Sequence, residues 1–221
     1  MRETKALVFD CDGTLLDTRL DYLKAINVTL KAFGLPPITM AEGASFLGFG
    51  SVHFVKAAMK GQREDEFPEV FNTYLDYYLK HVYVKTAKYP GVDEMLKTAK
   101  ALGYSLFVAS NKPDQALREL FKKAFPPLTF NDVFGQIGGT APKPDPYLLT
   151  RIMATNHYSP DEIAYFGDTE VDYRFARNAE VDKVYIVTYG FRSEAFLKAN
   201  TAPRGFLQSV AELAKLISRL P

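Results

Sequence analysis

Ala6-Leu7-Val8-Phe9, followed at once by Asp10-Cys11-Asp12-Gly13-Thr14, is the stretch on which the fold turns. Four consecutive apolar residues read as a strand buried on both faces, the kind that belongs in a parallel sheet. Two carboxylates two positions apart leave its C-terminal end, where open α/β sheets place their ligands. Residues i and i+2 of a strand share a side, but Gly13 marks the strand's end, so the pair is displayed on a turn. Withdrawing two adjacent carboxylates from water without a counter-charge is costly, and a divalent cation is the simplest resolution. Taken by itself, the same pattern also reads as an Asp-rich turn after a strand.

Around this stretch, 221 residues allow one large domain or a core with a smaller companion, and 47% apolar residues are ample for a sizeable core. Basic and acidic residues number 27 and 26, a net charge of +1, so no global field favours nucleic acid or an anionic membrane as partner. A single cysteine excludes an internal disulfide framework and suits a reducing compartment. The apolar run after the first five residues is only four long, so no signal peptide is expected, and no segment approaches the roughly 20 needed to span a bilayer. The expected location is the cytoplasm.

Leu20, Leu23, Ile26, Leu30 and Phe33 recur at helical spacing, and Gly34 with Pro36-Pro37 ends that helix. Helical patterns continue to Tyr83, and no strand is expected between Leu15 and Val82. After Tyr89-Pro90-Gly91 helix and strand alternate. Helices are expected at 95–102, 113–124, 145–155, 170–179 and 207–220, and strands at 104–109, 163–166 and 183–187. The expected fold is α/β, a doubly wound parallel sheet formed by residues 1–15 and 86–221, with a small all-helical cap inserted at 16–85.

Three further signals fall at predicted strand ends. Phe107-Val108-Ala109-Ser110-Asn111-Lys112 ends in a hydroxyl, with Pro113 suited to begin a helix; the plain alternative is a serine N-cap. Pro142-Lys143-Pro144 fixes a lysine on a stiff loop, whose ammonium either neutralises an anionic cluster or lies in solvent. Phe166-Gly167-Asp168-Thr169-Glu170-Val171-Asp172 repeats the strand, turn and acid design, and Asp172 also reads as an acid favoured at a helix start.

The order of carboxylate pair, Ser, Lys and carboxylate pair, together with the helical insertion, resembles the haloacid dehalogenase superfamily over nearly the whole chain. Asp10 to Thr18, Phe33-Gly34-Leu35-Pro36-Pro37, Leu47-Gly48-Phe49-Gly50 and Gly167 to Asp172 are most similar to its phosphoglycolate phosphatase-like branch, with a helical type 1 cap on a Rossmann-like core. The resemblance implies a Mg²⁺-dependent phosphatase acting on a small phosphomonoester. In that reading Asp10 is the nucleophile and Asp12 the acid–base. Asp10, the Asp12 carbonyl and Asp168 are metal ligands, and Asp172 orients Lys143 or a water on the metal. Gly13, Thr14, Ser110, Asn111 and Lys143 carry phosphate oxygens, the glycine and asparagine through their amides. Arg19, His53 and Lys56 are the polar residues placed to read the substrate. A phosphosugar mutase, a pyrophosphatase and a non-catalytic phosphate-sensing module are the competing functions, and a monomer or homodimer the expected assembly. Two departures stand out: Cys11 replaces a usual apolar residue, read as structural packing, and Ala179-Glu180 replaces Ala-Gly.

Overall fold

The computed structural model describes residues 3–220; Met1, Arg2 and Pro221, counted in the expected core, lie outside it. Strand β1 (Ala6–Phe9) is buried along its length. It lies between β4 (Ser105–Pro113) and β6 (Ile163–Gly167). Beyond these sit β5 (Asp132–Gln136) on one side, and β7 (Lys183–Val187) and β8 (Gly205–Leu207) on the other. All pairings in this six-stranded sheet are parallel. The doubly wound α/β expectation holds.

Alternation along β1 assigns its side chains to two layers. Leu7 and Phe9 join a core with residues of α5 (Val92–Ala101), α6 (Asp114–Ala124) and α10 (Val210–Ile217). Ala6 and Val8 face α7 (Tyr147–Asn156), α8 (Glu170–Asn178) and α9 (Glu194–Asn200). From β1 the chain builds outward through β4 and β5, then returns to β6 beside β1 and builds the other way. The loops after β1 and β6 therefore diverge, opening a crevice at their carboxyl ends, where a doubly wound sheet holds its ligand.

Helices α1 (Arg19–Ala32), α2 (Met40–Phe46), α3 (Ser51–Met59) and α4 (Phe67–Lys80) form the insertion. Tyr22, Ile26 and Leu30 of α1 meet Val70, Tyr74 and Tyr78 of α4 in the same apolar cluster as Leu7 and Phe9. Tyr74 and Tyr78 are thus interior, while Tyr77 and Tyr83 are half-buried against the same cluster.

The expectation of no strand from Leu15 to Val82 is corrected: β2 (Leu16–Asp17) pairs antiparallel with β3 (Ala87–Lys88) at the base of the insertion. Two residues are too few for a period of two to register. Strand β4 continues to Pro113 rather than ending at 109, so Ser110 is a strand-end residue and not a helix N-cap. Strand β5, strand β8 and helix α9 were not anticipated. The last helix starts at Val210, because Leu207 closes β8. Glu180 takes the left-handed φ of 62° that a glycine would favour, and the helix terminus still forms, with Val181 N donating to Ala176 O.

Asp21 ties the insertion's two ends together. Its buried carboxylate accepts from Val84 N at 3.0 Å, Lys85 N at 2.9 Å, Thr86 N at 2.8 Å and Thr86 Oγ1 at 2.7 Å. Asp21→Ala leaves these donors without an acceptor, at about 1–3 kcal/mol for each that stays buried. We expect a clear fall in midpoint by denaturant titration, larger than for Asp21→Asn; equal midpoints would refute the tie.

Candidate active site

The crevice between β1 and β6 is lined by acids fixed by backbone. Asp10 N donates to Phe166 O at 2.8 Å, so the turn after β1 begins pinned to the neighbouring strand. Lys143, buried on the loop after β5, brings Nζ to 2.7 Å from Asp172 Oδ1 and 2.9 Å from Asp10 Oδ1. The same ammonium lies 3.1 Å from both Tyr165 Oη and Ala109 O. Burial alone would lower its pKa, but Asp10 and Asp172 reverse that and raise it. Lys143 is therefore the charged, buried reading of its loop and not the solvated one.

Thr169 caps α8 and forms a capping box with Asp172. Asp172 Oδ2 accepts from Thr169 Oγ1 at 2.6 Å and Thr169 N at 3.1 Å, while Oδ1 takes Lys143 Nζ and, at 2.7 Å, Tyr165 Oη. Both oxygens are fully engaged within the protein. Burial pushes this acid up, yet Lys143 and these bonds outweigh burial and hold it below the usual range.

Asp168 is placed differently. Oδ2 accepts from Phe191 N at 2.8 Å, while Oδ1 is buried with no hydrogen-bond partner among the described residues. A Cβ on Gly13 or Gly190 would collide with its carboxylate, so both glycines are needed for the close approach. Burial, then Asp172 and Asp10, push Asp168 well above the ordinary carboxylate range. Burial likewise pushes Asp10 up to about 7, against the opposing pull of Lys143.

Oxygens of Asp10, Asp168 and Asp172 lie within 4.8 Å of one another. One ammonium, shared by Asp10 and Asp172, stands against three carboxylates here. The unsatisfied Asp168 oxygen and the excess negative charge fit a hard divalent cation held by oxygen ligands. Asp10 and Asp168 have lone pairs to offer it; Asp172 does not.

The remaining expected residues divide. Asp12 lies at the mouth, with Oδ1 3.0 Å from Lys112 Nζ and Oδ2 accepting from Tyr22 Oη at 3.2 Å. Ser110 Oγ is buried and accepts from Lys112 N at 3.3 Å, leaving its own hydrogen for a ligand. One expected phosphate contact is corrected. Gly13 N donates to Leu16 O at 2.8 Å and is spent in the turn. Asn111 lines the cavity as expected, and its side chain braces the loops, accepting from Lys143 N at 2.7 Å and donating to Gly48 O at 2.9 Å. Thr14 Oγ1 is buried with no hydrogen-bond partner among the described residues and does not line the cavity. Cys11 is wholly buried and burial pushes its thiol up, consistent with packing rather than reactivity. The cavity bounded by Asp10, Asp12, Ser110 and Lys143, with Tyr22 and Phe54 from the insertion, measures about 20 Å³, room for roughly one water.

The sequence profile of the haloacid dehalogenase-like hydrolases matches residues 7–186, most of the chain. The chain belongs to the haloacid dehalogenase-like hydrolases. It is an enzyme of the phosphoric monoester hydrolase type. The hydrolase is 31% identical over 192 residues to the phosphoglycolate phosphatase of Nitrosospira multiformis, covering 85% of this chain and 84% of that one. It is 29% identical over 218 residues to the phosphoglycolate phosphatase of Aquifex aeolicus, covering 96% of each. Among solved structures it is similar to a predicted phosphoglycolate phosphatase from Haemophilus somnus, with a TM-score of 0.87, 27% identity, and coverage of 98% and 99%.

Arg19, His53 and Lys56 do not line the hydrolase's cavity. Arg19 pairs with Asp17 at 2.7 Å, His53 packs at a tilt against Phe49 with ring centroids 4.9 Å apart, and the Lys56 ammonium lies over Phe67 at 4.9 Å. Residues without an assigned role in the sequence take their place. Lys112, Tyr22 and Phe54 line the cavity. Arg192, from the loop after β7, clamps the insertion by donating to Ala44 O at 3.1 Å and Leu47 O at 2.8 Å. One signal is in the sequence: Lys112, two residues past Ser110 on an apolar strand, has no solvated helix face to occupy.

Proposed function

We propose that this hydrolase is a Mg²⁺-dependent phosphatase of small anionic phosphomonoesters, phosphoglycolate or a close analogue, working through an aspartyl-phosphate on Asp10. The observation carrying this reading is the pair Asp10 and Asp12, each beside its own lysine, facing a cavity of about 20 Å³. The relatives' names point to the same substrate.

An Asp10 carboxylate oxygen attacks phosphorus, and the bond from phosphorus to the alcohol oxygen breaks. Asp12 gives its proton to the departing alkoxide, then takes one from the water that attacks the aspartyl-phosphate, returning Asp10 and releasing phosphate. Ser110 and Lys143 carry charge on the transferring group, and Asp172 keeps Lys143 aimed. Asp10, Asp168 and the Asp12 carbonyl would hold Mg²⁺, which supplies positive charge that offsets repulsion between the carboxylate and the phosphoryl group. Helices α1–α4 serve as a cap that excludes water from this chemistry.

The test is phosphate release from a panel of small phosphorylated metabolites, with Mg²⁺ and with chelator. Turnover of phosphoglycolate, lost on chelation and without isomerisation of sugar phosphates, is expected. No release from any phosphomonoester would sink the reading.

Protons and metal compete for the same oxygens, which gives an independent check. Asp10 takes its proton near pH 7 in the folded chain and near 3.8 unfolded, so between these values the folded state binds the extra proton. Without metal, stability conferred by that proton falls as pH rises from about 4 to about 7, and Asp168 adds in the same direction. The rise in Tm on adding Mg²⁺ should be larger at pH 7.5 than at pH 5.5. A Tm shift independent of pH would contradict the assignment of these acids to the metal.

A further inference from the structure

Lys112 has no place in the chemistry so far, yet it is 1% exposed and borders the cavity. An ammonium has three donors. Those of Lys112 have three oxygens within reach: Tyr22 Oη at 2.6 Å, Tyr78 Oη at 2.7 Å and Asp12 Oδ1 at 3.0 Å. None remains for a ligand, so Lys112 is not a substrate-binding group in this arrangement. Both tyrosines belong to the insertion, Tyr22 to α1 and Tyr78 to α4, and their rings stack at 4.7 Å. The ammonium also lies over those rings, 4.2 and 4.9 Å from their centroids. Asp12 is thereby held from two directions, by Lys112 on Oδ1 and by Tyr22 Oη on Oδ2. Neither contact comes from the loop that carries Asp12.

We propose that Lys112, Tyr22 and Tyr78 form a latch that aims Asp12 only while the helical cap is closed, with Lys112 the positioning residue. Moving α1 and α4 away removes two of the three oxygens around the ammonium and the Tyr22 bond to Asp12, leaving Asp12 with Lys112 and the weak thiol contact of Cys11 at 3.7 Å. Lys112 then has only Asp12 to pair with, and a direct ion pair competes with the proton delivery that Asp12 owes the leaving group. Closure restores the tyrosine oxygens, spreads the ammonium's bonds over three partners and sets the carboxylate's direction. The acid is thus assembled at the moment the site excludes water. The inference rests on the reading of Asp12 as general acid, which the experiment checks separately.

The experiment compares alcohol release in the first turnover for two substrates with Mg²⁺ present. Phosphoglycolate has an alkoxide leaving group that needs a proton; p-nitrophenyl phosphate leaves as a stable phenolate and needs little help. Asp12→Asn, Lys112→Met, Tyr78→Phe and the Lys112→Met/Tyr78→Phe pair are measured beside the parent. General acid catalysis is worth about 10²–10⁴-fold, so Asp12→Asn should lower the alkyl-to-aryl rate ratio by that order. Lys112→Met should lower the same ratio by about 10²-fold, and Tyr78→Phe, which touches no reacting atom, by about tenfold. The double variant should match Lys112→Met alone, because the tyrosine acts through the lysine. Tyr78→Phe keeps the ring and its stacking, so it remains informative if Lys112→Met folds poorly.

A merely structural role would slow both substrates equally and leave the ratio at its parent value. A ratio lowered by Asp12→Asn but unmoved by both latch variants overturns the inference alone. A ratio that Asp12→Asn does not move overturns the acid role of Asp12, and the latch with it.

Discussion

Asp10→Asn lowers kcat for phosphate release by about 10⁴- to 10⁶-fold, the scale on which loss of a covalent nucleophile is felt. The amide matches the carboxylate in shape, so the turn after β1 and its bond to Phe166 O are kept. It lacks the charge that attacks phosphorus and holds a cation. Stability should not suffer in the metal-free chain, because Asp10 and Asp172 share a single ammonium and Asp168 crowds them with a further buried carboxylate. Acid-quenched enzyme should carry covalent phosphate in the parent and none in the variant. A variant retaining parental activity would remove Asp10 from the nucleophile's role.

Lys143→Met has the largest effect on stability. It strips the counter-charge from Asp10 and Asp172, both buried, and breaking one side of a buried ion pair costs about 3–5 kcal/mol. For a chain of this length that is a fall in Tm of roughly 6–20 °C. Lowering the pH should recover part of the loss, since protonated acids no longer need the ammonium. Combining Lys143→Met with Asp10→Asn should likewise cost less than the sum of the two single changes. Additive losses at neutral pH would mean that the pair is not coupled in the way its 2.9 Å separation implies.

What the sequence announced and what it withheld follow from distance along the chain. The central strand, its two acids and the Gly167-Asp168 turn are local patterns, a continuous apolar run followed by a break, and they fold as they read. Strand β5 escaped notice because Asp132–Gln136 is only half buried and carries Gly135, so neither alternation nor a continuous apolar run appears. Ser110 read equally well as a helix cap because β4 runs past the usual break and hands over directly to α6. Gly13 was counted as a phosphate donor, but whether an amide faces a pocket or a carbonyl three residues on is a matter of turn geometry. The latch was least accessible. Lys112 meets Tyr22 from 90 residues away and Tyr78 from 34, and no local pattern encodes such a meeting. Likewise, Arg192 reaches Ala44 across 148 residues. The candidate site residues Asp10, Ser110 and Asp168 were legible because they sit at or near strand ends. Those that tie the cap to the site were not.

The small pairing of Leu16 with Lys88 and Asp17 with Ala87 has a consequence for how such proteins diversify. With Asp21 bonded to Thr86, 65 positions on, the excursion between them starts and finishes at one point in space. Lengthening a loop closed at its base costs little, about 0.6 kcal/mol for each doubling. The gene can therefore accept, exchange or trim the intervening segment while every strand of the main sheet keeps its register.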